Sequence, residues 1–311
     1  MKTIDQFARD GMSGVRDLRD ALQLAMQLEF STIPPYLCAL WSIKRDPDRV
    51  EGVLHKIVSQ EMNHFALAGN ILSAIGGVPK IANRGFLPKY PAHTLPGGIA
   101  QRLPVDLRPL TFEQLEVFMQ IEFPEFPPVA LVANTRPATI GEFYDAIIDS
   151  LETVQPPIDP KAHAVPVPLS GPIRTIGDAT EAITRIKVEG EGLQDTPEQP
   201  TSDGTGHAHY YLFKEIYRQR RLIMTGDKWS FSGPQITFPD VYDFHPGSER
   251  GALSKEFRRA LTALLVHLET CWRHGHTLNA AGMFELHFLG KQLVASGVRP
   301  EFRWSNAAAP N

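Results

Sequence analysis

Residues 54–75, LHKIVSQEMNHFALAGNILSAI, place Glu61 and His64 three apart inside a strongly helical apolar pattern. Three residues is close to one helical turn, so both side chains share a face with their Cβ atoms about 5–6 Å apart. Val58, Met62, Phe65, Leu72 and Ile75 supply an apolar stripe on the same side. A carboxylate and an imidazole within that stripe point into a core, where an unpaired charge costs several kcal/mol. A metal ion bound by both would remove that cost. A solvated helix face is the bland alternative, and the pair alone does not exclude it. The rest of the chain has to supply the partners.

With 311 residues, 42% hydrophobic and 21% charged, the chain is long enough for one large domain or two small ones. A net charge of -4 leaves no basic footprint for nucleic acid or an anionic membrane surface. No apolar run reaches the roughly 18 residues of a membrane span, and MKTIDQFARDGMSG has no apolar core of a secretory signal. The two cysteines, Cys38 and Cys271, fall in apolar helical patterns and read as buried free thiols of a reducing, cytoplasmic compartment. The 26 prolines cluster between helical segments and imply long structured loops.

Ser13 is the expected N-cap of a long amphipathic helix through VRDLRDALQLAMQLEFSTIPPYLCALWSI. Pro34 and Pro35 remove backbone donors, so the helix is expected to bend or break there and free a carbonyl near Phe30. Glu29 stands one turn earlier among apolar neighbours. A short polar link at 45–49, with Pro47 as a candidate first helical residue, leads into a second helix over 48–75; a link this short makes the two helices antiparallel. Glu29 precedes the link by sixteen residues and Glu61 follows it by twelve, which brings them level to within about one turn.

Residues 79–110 read as a long aromatic and proline-rich loop of the functional kind. Thr111 then caps FEQLEVFMQIEF, which ends at Pro124. Glu122 lies at the helix C-terminus, the wrong end of the dipole for a carboxylate unless a cation or donor compensates. It is the candidate third carboxylate, with Glu125 and Glu142 as alternatives. A helix over 139–153 follows, and Asp178 is the expected cap of ATEAITRIKVEGEG, which carries Glu191 between two glycines. A polar insertion, LQDTPEQPTSDGTG, separates it from a resumed helical pattern, HAHYYLFKEIYRQRRLI. Glu191 and His209 are eighteen apart and converge if the insertion loops out of a helix that resumes in register; His207 and Glu215 compete for the same role. Residues 229–246 read as extended, a hairpin or ordered lid, and helices over 252–273 and 280–296 close the chain. His267, Glu269, His274, His276, Glu285 and His287 there read as structural or solvated.

In order and wording, EFSTIPPYLCALWSI, EMNHFALAGNILSAIGGVPKI, QIEFPE, TIGEFY, and GEG followed by HAHYYLFKEI resemble the ferritin-like domain of iminophenyl-pyruvate dimer synthases. That domain occurs in chromopyrrolate-forming enzymes of the violacein and rebeccamycin pathways and in stand-alone homologues. The match spans roughly 13–225, and the C-terminal 85 residues match loosely. The resemblance implies a mainly α, ferritin-like four-helix bundle with long structured loops over 1–225, and a lid-like loop and extra helices over 226–311 packed on the same domain. Position by position it favours Glu29, Glu61, His64, Glu122, Glu191 and His209 as metal ligands.

Four carboxylates and two imidazoles suit a pair of iron ions, or manganese, better than copper or structural zinc. The expected function is therefore a non-haem di-metal oxidase or oxygenase acting with O₂ on a small aromatic or amino-acid-derived metabolite. Arg84, Arg102 or Arg174 could hold a substrate carboxylate, and the loops at 79–110 and 229–246 could form its pocket. Assembly into a homo-oligomer is compatible with this reading. Two alternatives differ in class: a ferroxidase or iron-handling protein, and a bundle with a decayed metal site serving as a binding module.

Overall fold

A computed structural model describes residues 2–98, 103–124, 139–193, 196–201, 204–245 and 251–306. After a short helix α1 (Ile4–Asp10), the chain forms α2 (Val15–Ser42) and α3 (Val50–Ala74), which pack along their lengths as an antiparallel hairpin. Nearly all of α2 from Leu18 onward is buried. It runs unbroken through Pro34 and Pro35, where the sequence leads one to expect an interruption. Pro35 has no N–H to give the carbonyl of Ser31, four residues back. The Tyr90 hydroxyl donates to that carbonyl at 2.7 Å instead. A donor from the 79–110 loop thus satisfies a group that an interrupted helix would have exposed.

The starts of α2 and α3 differ from the sequence expectation. Gly14, not Ser13, is the N-cap of α2; the Ser13 hydroxyl donates to the Asp17 carboxylate at 3.0 Å from one residue outside. Pro47 is not the first residue of α3. The link forms a short strand β1 (Ile43–Arg45) and a turn, and the Asp46 carboxylate accepts from the amides of Val50 and Glu51 at 2.9 and 2.7 Å. That carboxylate satisfies donors which every helix start leaves open.

The other side of the bundle is built from four shorter helices. These are α4 (Phe112–Ile121), α5 (Ile140–Val154), α6 (Ile176–Glu191) and α7 (His209–Arg218). Helix α5 packs on α2 and α6, and α7 packs on α4 and α3. Thr111 caps α4 as its sequence suggests. Thr175, three residues before Asp178, caps α6: its hydroxyl accepts from the Asp178 amide, and the Asp178 carboxylate accepts from the Thr175 amide. The insertion between α6 and α7 holds an antiparallel hairpin of β2 (Glu198–Thr201) and β3 (Gly204–His207). It loops out, so that one helix ends at Glu191 and the next begins at His209.

Beyond α7, β4 (Ile223–Thr225) and β5 (Lys228–Ser230) form a second hairpin, and β6 (Asp240–Val241) pairs with β1. Helices α8 (Ala252–His274) and α9 (Ala281–Ala295) pack on each other and on α3 and α2 respectively. Gly69 of α3 makes the first of these contacts possible: a Cβ there would lie 2.5 Å from the Trp272 ring. The C-terminal polar residues serve the fold. His287 accepts from the Trp41 indole at 3.0 Å, His267 accepts from the Asn279 amide at 2.9 Å, and Glu269 accepts from the amides of Ile81 and Ala82. No helix among the described residues is long and apolar enough to cross a membrane.

Candidate metal centre

Glu29 from α2, Glu61 and His64 from α3, Glu122 at the C-cap of α4 and His209 at the first turn of α7 meet between the helices. All five are buried. They form two groups that could each hold a cation, Glu29–Glu61–His64 and Glu61–Glu122–His209, with Glu61 common to both. His64 Nδ1 lies 3.4 Å from Glu29 and 3.6 Å from Glu61; His209 Nδ1 lies 2.9 Å from Glu61 and 3.6 Å from Glu122. The two imidazole rings are 5.7 Å apart.

The far side of each ring is held. His64 Nε2 lies 2.9 Å from a Glu189 oxygen, and the other Glu189 oxygen accepts from Arg185 at 2.9 Å. His209 Nε2 lies 3.2 Å from the Gln60 carbonyl oxygen; the Gln60 amide donates to Gln199, whose own amide donates to the His207 carbonyl. With a cation bound, such partners would keep the proton on Nε2 and leave the Nδ1 lone pair to the ion, as in carboxylate–histidine–metal relays. The outer carboxylates are held in a parallel way. Tyr144 donates to Glu29, and Tyr36 donates to Glu122 at 2.5 Å. The Thr32 hydroxyl is within 2.7 Å of both the Glu29 carbonyl and the Glu61 carboxylate, with one proton to give.

Burial disfavours every charge here, and the neighbours decide the outcome. Glu29 is raised above the usual carboxylate range by burial and by Glu61; Glu122 is raised by the same two causes. Burial also pushes Glu61 up, but His209 and His64 outweigh it and hold the carboxyl below its ordinary value. Burial pulls the imidazoles down, yet Glu189, Glu29 and Glu61 lift His64 well above the ordinary value, and Glu122 and Glu61 lift His209 to about 9. Glu189 is depressed to about 2 against its burial, first by His64 and then by Arg185. Protons thus balance the charge that a cation would neutralise. One atom shows the fit to a cation directly. His209 Nδ1 is fully buried, is aimed at two carboxylates, and has no well-directed hydrogen bond. Oxygen and imidazole donors in this mixture suit iron or manganese.

Glu191 lines the same cavity, which encloses about 30 Å³, but is turned toward α5. Its carboxylate accepts from the Gly141 amide at 2.8 Å at that helix's N-terminus, and a Cβ on Gly141 would lie 2.6 Å from it. A carboxylate at a helix N-terminus is well placed electrostatically. Of the alternatives, Glu142 closes the capping box of α5 with Thr139, and Glu125 lies outside the described residues. His207 and Glu215 face each other at 3.0 Å in a separate network with Arg221. Among the described residues, neither 79–110 nor 229–246 lines this cavity. The first loop lies on the outer side of α2 through Tyr90, and the second is tied to β1 through β6.

Glu189 escapes a sequence reading because V-E-G-E-G holds two glutamates two apart, about 200° round a helix. The Arg185–Glu189 spacing of four was the available signal for the inward one. Gln60 and the two tyrosines carry no charge, so nothing in the sequence marks them as partners of the site.

The family model described as ferritin-like matches residues 22–218. A crystal structure of a ferritin-like protein from Caulobacter vibrioides superposes with a TM-score of 0.68 at 24% identity, covering 93% of this chain and 97% of the other. No functionally curated protein matches the sequence. With most of its length matched by the family model, the chain belongs to the ferritin-like family.

Proposed function

We propose that this ferritin-like protein is a non-haem di-metal, most simply di-iron, oxidase or oxygenase that uses O₂ on a small aromatic or amino-acid-derived metabolite. The observation that carries the metal half of this reading is the pair of buried donor groups joined at Glu61. Glu29 with His64 would hold one ion, Glu122 with His209 the other, and Glu61 would serve both. Glu191 would complete the set by turning from the Gly141 amide into the cavity it already lines. The likeness to iminophenyl-pyruvate dimer synthases in QIEFPE, TIGEFY and the split GEG and HAHYY blocks supports the organic-substrate half.

A pair of such ions, when bound, supplies the electrons for reducing dioxygen. The chain's own contributions are separable. Glu189 and Gln60 fix the imidazole tautomers so that Nδ1 offers its lone pair. Tyr144 and Tyr36 orient the outer carboxylates and hold protons beside them. Leu28, Ile121, Ile140 and Ile186 line the cavity and keep bulk water from the donors.

A second reading is favoured by the size of that cavity. About 30 Å³ leaves room for only a few molecules the size of water. A space this small suits Fe(II) and O₂ alone, as in a ferroxidase. Oxygen-electrode assays on Fe(II)-loaded protein separate the two. An oxidase consumes O₂ repeatedly only when a suitable aromatic amino-acid-derived substrate is added. A ferroxidase consumes O₂ in proportion to added Fe(II), retains ferric mineral and ignores the organic compound. Metal-free protein after growth in iron-rich medium, with melting unchanged by chelator, would sink both in favour of a decayed site.

A further inference from the structure

A second cavity, of about 530 Å³, lies between the 79–110 loop and the segment after α9. Its size is that of a small-molecule site. It is on the other side of α2 from the metal centre. The Tyr90 hydroxyl in its wall binds the carbonyl of Ser31, which is two residues and so about 200° round the helix from Glu29. Four cationic residues line it, Arg84, Lys89, Arg299 and Arg303, against one carboxylate, Glu301. Glu301 is engaged by Arg258 and Arg303, and Arg299 pairs with Asp106 at 3.6 Å, so Arg84 and Lys89 carry the positive charge left over. A chain of net charge -4 therefore presents a positive wall to this concavity through Arg84 and Lys89. Low-dielectric walls focus such a field on an anion.

The walls say what kind of anion. Seven of the twelve lining residues are apolar or aromatic, Tyr90 and Trp304 among them. An inorganic anion would leave those faces unused, whereas a flat apolar body covers them while its carboxylate meets Arg84 and Lys89 at the rim. Arg84 and Lys89 are exposed at their positions, and Trp304 is partly exposed, so the groups that would read such a ligand are accessible. Arginine is suited to this pairing because its planar fork matches a carboxylate and its face stacks on aromatic rings.

We infer that this cavity is a binding site for an organic carboxylate with a flat apolar body, separate from the metal centre. It does not rest on the metal reading. Calorimetric titration of the full chain tests it with indole-3-propionate as probe, and with indole and inorganic phosphate as controls. The expected result is saturable one-to-one binding of indole-3-propionate, with indole and phosphate each weaker by roughly tenfold or more, as for loss of a charge-assisted contact or of the apolar body. Arg84→Ala with Lys89→Ala, and separately Trp304→Ala, should each weaken the probe by roughly tenfold. Treatment with chelator should leave its affinity unchanged. Four results would overturn the assignment: no saturable binding, indole or phosphate binding as well as the probe, folded variants that bind like the parent, or affinity lost on chelation.

Discussion

The two halves of the candidate metal centre have the same parts and different supports. On one side Glu29, Glu61 and His64 stand on α2 and α3, two long uninterrupted helices joined by a short link. On the other, Glu122 closes α4, His209 opens α7 and Glu191 ends α6, so every donor sits at a helix terminus. Each half has a carboxylate held by a tyrosine and an imidazole held at Nε2. The holders differ in charge. Glu189, itself anchored by Arg185, holds His64, whereas a neutral amide, Gln60, holds His209. Long helices fix side chains through many packed neighbours. Helix ends must rely on specific hydrogen bonds, as Glu191 does on the Gly141 amide.

Breaking the shared residue should have the largest effect. Glu61→Ala removes a donor from both halves and should take bound metal from about two ions per chain to essentially none, as read by metal analysis after desalting. His64→Ala and His209→Ala each remove one half and should leave about one ion. If the long helices preorganise their half, the ion retained by His209→Ala is held more tightly than the one retained by His64→Ala.

The supports come next. Glu189→Gln should weaken metal binding at the hairpin half by roughly 10–100-fold, since a residue holding the far side of a metal-binding imidazole has effects of that order. Gln60→Leu should do less to the other half, because an uncharged amide adds less to imidazole basicity. Competition with a chelator measures both, and equal effects would erase the distinction between the holders.

How far the sequence foretells each half follows from the same difference. Glu29, Glu61 and His64 can be brought level by counting residues along two regular helices and a short link. Glu122 is legible through its unfavourable position against the helix dipole, but no periodicity crosses the insertion to His209. That residue's place depends on where α6 stops and α7 starts, which is set by tertiary packing. Glu189 and Glu191 cannot be told apart without the phase of α6. The continuity of α2 through Pro34 and Pro35 is equally nonlocal, since the compensating donor is fifty-five residues further on, at Tyr90.

That compensation offers a smaller test on the hairpin side. Tyr90→Phe leaves the Ser31 carbonyl without its donor and should cost about 1–3 kcal/mol in denaturant unfolding. Pro35→Ala in the same background should restore part of the loss, because an alanine amide can donate to that carbonyl. No loss in Tyr90→Phe would mean that Tyr90 acts by packing alone, and a loss without recovery would mean that its hydroxyl acts elsewhere than on this carbonyl.

The smallest effect concerns the support of the helix-end half. Glu215 on α7 is pushed up by burial but held below the ordinary carboxylate range by His207, Arg221 and the Leu222 amide. A depressed folded-state value means that the unfolded chain binds the proton more readily. Stability from this group is therefore present above about pH 4.5 and is lost as pH falls toward the folded value. Glu215→Gln should lower stability near neutral pH and flatten its decline below about pH 4.5 relative to the parent. Parallel pH profiles for the two proteins would remove Glu215 from the account.

The central claim is that one buried cluster holds two ions through a common Glu61. Anaerobic Fe(II) titration by equilibrium dialysis of the full chain beside Glu61→Ala tests it most directly. The expected result is saturation at about two Fe(II) per chain for the parent and no retained iron for the variant. Absence of saturable uptake in the parent, or equal uptake by both proteins, would contradict it.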